Sequence, residues 1–432
     1  MIRVIQPGGR TGSVEIPASK SRAHRLLICA SLGKNTVELR CEGVSRDIQA
    51  TMDCLKALGA VIDREDDRIR VVPVRPGRHT AGTAELPCGE SGSTLRFLLP
   101  VVGALGRTAV FRMEGRLPER PLQPLGDLLT DHGMTLRREE NLLFCDGRLR
   151  AGMYRIPGNI SSQYVSGLLF ALPLLAEESA LEVTDRIESA DYIAMTEDAL
   201  SLFGWQFEKQ GWRYRFPAGE KRGESTSVLP VERDWSSAAF FLALGALGGG
   251  GITIRGMNLQ SRQGDRRMLP LMRALGAEVR EEKTEITIRP GRMRGMEIDA
   301  SGIPDLVPIL AVTASLAEGE TRIVHAERLR LKESDRLRTT TAMLSALGAD
   351  IRETEDGLLI HGKDRLAGGR VDAANDHRIA MAAAVAAAGC AAPVIIDGAE
   401  CTEKSFPRFW ETLEALERDG AAEDAARTGG GK

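Results

Sequence analysis

Residues 54–63, CLKALGAVID, and 271–280, LMRALGAEVR, carry one phrase: an apolar helix end, a glycine, then an alternating strand. The phrase returns as LLTDHGMTLR (128–137), LSLFGWQFEK (200–209) and LSALGADIRE (344–353). Its glycines, Gly59, Gly133, Gly204, Gly276 and Gly348, are 74, 71, 72 and 72 residues apart. Each stands where a helix end needs a residue that tolerates the left-handed conformation. The spacing therefore predicts a helix before each glycine and a strand after it. A polar turn and another strand follow most copies, as in DREDDRIRVV (63–72) and RETEDGLLIHG (352–362), which read as hairpins.

A second phrase, a short strand, a loop and an apolar helix, occurs six times. The copies are EIPASKSRAHRLLICA, ELPCGESGSTLRFLLP, RIPGNISSQYVSGLLF, VLPVERDWSSAAFFLA, EIDASGIPDLVPILAV and RVDAANDHRIAMAAAV. Their strand ends, Ile16, Leu86, Ile156, Leu229, Ile298 and Val371, are 70, 70, 73, 69 and 73 apart. Another strand and helix fit between the two phrases, as in TVELR (36–40) and SRDIQATMDCLKAL (45–58). The repeating unit thus reads βαβαββ, and 432 residues hold six units, which divide into two domains of three. The fold class is α/β. The polar stretch Gly219–Ser227, near the midpoint, is the expected linker, and AAEDAARTGGGK (421–432) is an expected frayed tail.

Composition narrows the function. A net charge of −3 and only 19 aromatic residues offer no footprint for nucleic acid. The seven cysteines are scattered without a CxxC pair, which argues against disulfide or zinc frameworks and for a reducing cytoplasm. The N-terminus lacks a signal-peptide pattern. The uncharged stretch Ile379–Ile396 contains Gly389 and Pro393, so a buried helix followed by a strand fits it better than a membrane span.

The strand-to-helix loops are unusually cationic. Lys20, Ser21 and Arg25 fall in the first turns of one helix; Arg96 follows GESGST, and Asp376-His377-Arg378 opens another helix. Arg120, Lys332, Arg336 and Lys404 occupy alternate loops. A cation beside a helix N-terminus costs ~0.3–1 kcal/mol unless an anion neutralises it. Singly, each arginine reads as a solvated charge, Ser161-Ser162-Gln163 as ordinary capping and Asp305 as a cap. Their recurrence at equivalent places of a repeat points to a bound phosphate or carboxylate.

PASKSRAHR, GESGSTLRFL, ERP, SSQY, IPD, LKESDRL, NDHRIAM and EKSFP stand in the order found in 5-enolpyruvylshikimate-3-phosphate synthases, and the resemblance spans roughly Lys20 to Pro407. It implies an enolpyruvyl transferase fold, an inside-out α/β barrel of two domains. Residues 19–231 would form one domain, and 1–18 with 232–432 the other, with the active site in the cleft between them. It implies transfer of the enolpyruvyl group of phosphoenolpyruvate to the 5-hydroxyl of shikimate 3-phosphate, on the chorismate branch of aromatic amino-acid biosynthesis. The reaction would pass through a tetrahedral adduct and release phosphate, with no metal or organic cofactor, in a cytoplasmic monomer.

By motif, Lys20, Ser21, Arg25, Ser161, Ser162, Gln163, Ser189, Tyr192, Asp305 and Lys332 would hold shikimate 3-phosphate. Lys20, Gly92, Arg120, Gln163, Arg336, Arg378 and Lys404 would surround phosphoenolpyruvate. Asp305 and Glu333 would exchange the protons, with Lys20 as a further proton-transfer group. The chain departs from the family pattern in three places. Gly89-Glu90-Ser91-Gly92 stands where many members carry Gly-Asn-Ala-Gly, Phe97 replaces a common proline, and Arg328 replaces a common asparagine. Glu90 would set negative charge beside the pocket that glyphosate occupies in this family.

The sister transferase acting on a UDP-linked amino sugar carries a reactive cysteine before an Arg-Pro pair, whereas the loop here is Gly115-Arg116-Leu117-Pro118-Glu119-Arg120-Pro121. An RNA 3′-phosphate cyclase would need nucleotide recognition that charge and aromatic content do not support. A non-catalytic scaffold would not need Asp305 and Glu333 together.

Overall fold

In a computed structural model, residues 1–74, 82–220 and 222–418 are described. The expected tail at 421–432 lies outside the described residues. The recurring glycines end their helices as the spacing predicts. Helices Arg46–Ala57, Leu125–Asp131, Ala190–Leu202, Met268–Leu275 and Arg336–Ala346 run up to Gly59, Gly133, Gly204, Gly276 and Gly348. Those glycines have φ of 107°, 107°, 62°, 113° and 88°, a region that side-chain-bearing residues rarely enter.

Among the described residues the strands form six sheets with a shared pattern. Ala84–Gly89 runs parallel to Ala109–Met113, which pairs antiparallel with Leu142–Gly147, which pairs antiparallel with Met134–Glu139. The same order joins Met153–Pro157, Ser179–Thr184, Arg213–Phe216 and Glu208–Gln210. It returns in Glu297–Asp299, Glu320–Val324, Leu358–His361 and Asp350–Glu353. A parallel first pair requires a crossover, and the apolar helix of each repeat supplies it.

Two repeats exchange their first strands. Val228–Pro230 lies parallel to Val37–Arg40, and Arg10–Glu15 lies parallel to Gly251–Arg255. The N-terminal strand Ile2–Ile5 completes the sixth sheet, antiparallel to Val394–Asp397. Accordingly the chain divides into one compact unit of residues 18–232 and another of 1–17 with 233 onward. The crossing segments bond to each other: Ser19 N–H donates to Glu232 O at 2.8 Å, and Asp234 N–H to Pro17 O at 3.0 Å.

The described residues of the stretch expected to be a linker lie instead within the first of these units and are bonded to its surface. Asn35 and Ser225 exchange two 3.1 Å hydrogen bonds, and Arg222 Nη1 donates to Leu32 O at 3.3 Å. A polar composition suits a free linker and a surface segment tied down by such bonds alike.

In each unit the helices that follow the first strands are buried nearly all round. Lys20–Leu32, Gly92–Leu105 and Ser162–Ala171 fill one unit, and Trp235–Leu247, Val307–Ala314 and His377–Ala386 the other. Many sheet strands instead alternate buried and exposed residues, as Ser179–Thr184 and Glu320–Val324 do. Each unit therefore carries its apolar helices inside and its sheets outside. Ile379–Ile396 resolves into the end of a buried helix and the strand Val394–Asp397. Among the described residues no helix is long and apolar enough to cross a membrane.

Helices Gly92–Leu105 and Ser162–Ala171 approach closely at Gly167, where a Cβ would collide with the Arg96 carbonyl and touch Pro100. This contact sets the N-termini of both helices side by side. Gly167→Val should cost ~1–3 kcal/mol through overpacking and lower the midpoint of thermal unfolding, read by circular dichroism. An unchanged midpoint would show that the helices can separate without penalty.

Candidate active site

The candidate residues fall into two groups, one in each unit. In the unit that holds both termini, Arg336 is the hub. It is the first residue of helix Arg336–Ala346, which Asp335 caps by accepting from Arg338 N–H at 3.2 Å. Its guanidinium, 1% exposed, donates to Asp305 Oδ1 at 2.8 Å, Glu333 Oε2 at 2.6 Å and Asp376 Oδ2 at 2.8 Å. Asp376 caps helix His377–Ala386 through Arg378 N–H at 3.0 Å and accepts from Ser334 Oγ at 3.0 Å. One carboxylate thus positions both loops.

Arg378 grips Asp305 twice, with Nη2 on Oδ2 and Nη1 on the backbone carbonyl, both at 3.0 Å. Lys332 Nζ stands 3.7 Å from Asp305 Oδ1. Lys404, also buried, donates to Asn375 O at 2.6 Å. Burial alone would raise the Asp305 carboxyl, but Arg378, Lys332 and Arg336 reverse that and hold it well below the usual range. Burial lowers the Lys332 ammonium to about 8, against the opposing pull of Asp305. The result is a carboxylate kept ionised among cations.

Sequence reading missed Asp265. It is 2% exposed, Ser236 Oγ donates to its Oδ2, and its Oδ1 is buried without a hydrogen-bond partner. Gln263 fixes the loop by accepting from Trp235 N–H at 3.0 Å and donating to Arg233 O at 2.8 Å. Burial first, and then the charge of Asp305, push the Asp265 carboxyl up to about 7. Asp376 stands in the NDHRIAM motif, but its role on Arg336 depends on a contact across 40 residues. No local sequence signal marks Asp265 as part of a site, and none gives Asp376 its partner.

In the unit of residues 18–232, Lys20 begins helix Lys20–Leu32 and pairs with Asp47 at 3.0 Å. Arg25 is 2% exposed. It donates to Thr196 Oγ1 at 2.8 Å, Ser21 O at 2.7 Å and Tyr192 O at 2.8 Å. None of its partners among the described residues is a carboxylate, and burial lowers its guanidinium to about 9. A buried cation with neutral partners invites an anion. Ser189, at φ 54°, precedes the helix that carries Tyr192.

Ser161 caps helix Ser162–Ala171 by accepting from Gln163 N–H at 3.3 Å, and Gln163 Nε2 donates to Ser93 Oγ at 3.0 Å. Gly92 opens its helix where a Cβ would fall 2.6 Å from Arg96 Nη1 and 2.7 Å from Arg120 Nη1. Only a glycine leaves that corner to the two guanidinium groups. The Glu90 side chain lies over Gly115 in the neighbouring loop, and Arg328 donates to Ser301 O at 2.9 Å.

Asp265 yields a signed prediction. Its folded pKa lies above the usual carboxylate value, so its stabilising effect is complete at low pH and is lost as pH rises through about 7. Asp265→Asn should therefore gain stability relative to the parent between about pH 5 and about pH 8, on the order of 2–4 kcal/mol. Urea unfolding at both pH values checks this; parallel curves would show an ordinary carboxylate.

A family model described as EPSP synthase (3-phosphoshikimate 1-carboxyvinyltransferase) matches residues 5–413. A 3-phosphoshikimate 1-carboxyvinyltransferase of Clostridium kluyveri is 41% identical over 420 residues, covering 95% of this chain and 96% of the relative. That of Clostridium acetobutylicum is 40% identical over 419 residues, covering 96% and 97%. Among solved structures, an EPSP synthase from Acinetobacter baumannii superimposes with a TM-score of 0.79 at 25% identity, covering 96% and 97%. The enolpyruvyl transferase NikO of Streptomyces tendae shares the fold at a TM-score of 0.77 and 17% identity, covering 97% of each chain. With its six repeats, its exchanged strands and a family match over almost its whole length, this chain belongs to the EPSP synthase (3-phosphoshikimate 1-carboxyvinyltransferase) family.

Proposed function

We propose that this chain transfers the enolpyruvyl group of phosphoenolpyruvate to the 5-hydroxyl of shikimate 3-phosphate and releases phosphate, as a cytoplasmic monomer of the chorismate branch. The observation that carries the reading is the pairing of two charge environments. One unit offers Arg25, a buried cation with only neutral partners, and the other offers Asp305, a carboxylate ringed by Arg336, Arg378 and Lys332. The first suits a phosphate, and the second suits a base beside anionic substrates. Seven buried, unpaired cysteines fit a reducing compartment.

In this reading Lys20, Ser21, Arg25, Ser161, Ser162, Gln163, Ser189, Tyr192, Asp305 and Lys332 hold shikimate 3-phosphate. Gly92, Arg120, Arg336, Arg378 and Lys404, with Lys20 and Gln163, hold phosphoenolpyruvate. Guanidinium forks match the edges of carboxylate and phosphate, which explains arginine at most of these places.

The chemistry runs in two steps. In addition, Glu333 gives a proton to the methylene carbon, the 5-oxygen bonds to the adjacent carbon, and Asp305 takes the hydroxyl proton. In elimination, a methyl proton returns to Glu333, the double bond re-forms and the carbon–oxygen bond to phosphate breaks. The departing phosphate carries away the proton that Asp305 had taken, with Lys20 available to relay it. The bonds of Arg336 to Glu333 at 2.6 Å and to Asp305 at 2.8 Å support this reading, since one guanidinium would space the two carboxyl groups.

Phosphate release from phosphoenolpyruvate should require shikimate 3-phosphate. Lys20→Ala and Glu333→Gln should each lower kcat by ~10²-fold or more while circular dichroism stays unchanged. Release that requires a UDP-linked amino sugar would move the chain to the sister transferase, and near-normal turnover of either variant would overturn its role.

A further inference from the structure

A continuous chain of buried side-chain hydrogen bonds links three helices of the unit 18–232. His24 Nδ1 lies 2.7 Å from Thr51 Oγ1, which lies 2.6 Å from Thr94 Oγ1, which donates to Ser91 Oγ at 2.7 Å. All four residues are at most 1% exposed. Two of these helices carry candidate site residues and the third a partner of one: Lys20–Leu32 bears Lys20, Ser21 and Arg25, Gly92–Leu105 begins with Gly92 and bears Arg96, and Arg46–Ala57 bears Asp47, which pairs with Lys20.

The donors fall into one order. Ser91 caps its helix by accepting from Thr94 N–H at 3.3 Å and also takes the Thr94 hydroxyl proton. Thr94, its proton spent, accepts from Thr51, and Thr51 in turn accepts from His24 Nδ1–H. The network thus assigns a proton to His24 Nδ1. Burial, with Lys20 and Arg25 nearby, holds that imidazole well below its usual pKa. Its Nε2 is buried without a hydrogen-bond partner, and the ring meets Phe97 edge-on with centroids 6.4 Å apart.

Such a chain is a demanding way to fill a core, because each link must be satisfied where two valines would pack equally well. It ends on the cap of the helix whose first residue leaves no room for a Cβ beside Arg96 and Arg120. We propose that His24, Thr51 and Thr94 are positioning residues for the phosphoenolpyruvate end of the site: their hydrogen-bonded relay fixes the N-terminus of helix Gly92–Leu105, and with it Gly92, Arg96 and Arg120, against the helix bearing Lys20 and Arg25. This rests on the placement of phosphoenolpyruvate at Gly92 and Arg120 made above.

Three variants of the full chain test it. Thr51→Val keeps the shape and removes the link, Thr51→Ser keeps the hydroxyl, and Arg120→Lys probes the substrate placement alone. Thr51→Val should raise KM for phosphoenolpyruvate ~5–20-fold, with KM for shikimate 3-phosphate and kcat within about threefold of the parent. Hydrogen exchange of the amides at 92–95 should quicken ~10-fold as the cap loosens. Thr51→Ser should match the parent in both.

Several outcomes overturn the proposal. In a folded Thr51→Val they are an unchanged KM for phosphoenolpyruvate, a parallel rise of both KM values with a lower melting point, or unchanged exchange; in Thr51→Ser it is the same loss. If Arg120→Lys raises KM for phosphoenolpyruvate and Thr51→Val does not, the relay alone fails. If Arg120→Lys leaves that KM unchanged, the substrate placement fails and the relay's purpose with it. Should Thr51→Val not fold, Thr94→Val cuts the same chain one link later and carries the test.

Discussion

A charge taken out of water must be neutralised within reach, and the two units meet that demand differently. Around Arg336 the neutralisation is internal: Asp305, Glu333 and Asp376 all converge on one guanidinium. Around Arg25 it is deferred, because a hydroxyl and two backbone carbonyls hold the side chain without cancelling its charge. The first arrangement closes its charge balance within the protein, and the second leaves a buried cation among neutral groups. On the proposed reading, that division separates a group that holds acid and base at fixed spacing from a group that recognises a phosphate.

The same demand explains why the helix starts matter so much. Ser19, Ser91, Ser161, Asp335 and Asp376 all cap helices whose first turns carry site residues. A capped N-terminus still presents backbone N–H groups and a partial positive charge. Placing Lys20, Arg336 and Arg378 there adds positive charge to positive potential, which is tolerable only where carboxylates or ligand oxygens converge. The repeat delivers this geometry several times over, since each strand ends at a comparable helix start.

Much of the architecture was legible because it is written locally and repeatedly. Helix ends at Gly59, Gly133, Gly204, Gly276 and Gly348 follow from the need for positive φ, and four spacings near one value expose the repeat. The strand exchange was not legible from the residues. Arg10–Glu15 and Val228–Pro230 look like first strands of their own repeats, and only pairing across more than 180 residues shows otherwise. The polar stretch at 219–227 misled for a related reason: the Asn35 side chain binds the Ser225 backbone and Arg222 binds Leu32 O, contacts invisible in composition. In the site, cations were visible because they violate capping preference. Asp265 and Asp376 obey it or lie beyond it, so their proximity to Asp305 and Arg336 stayed hidden.

The exchanged strands also order events during synthesis. Residues 18–232 contain every strand of their three sheets, so that unit can finish soon after Val228–Pro230 leaves the ribosome. Residues 2–15 have a longer wait. Arg10–Glu15 has no partner until Gly251–Arg255 is present, and Ile2–Ile5 none until Val394–Asp397 appears, almost 400 residues later. Residues 2–15 are therefore among the last of their unit to be stitched in, and they stay a partly apolar ribbon without strand partners until those later segments are made.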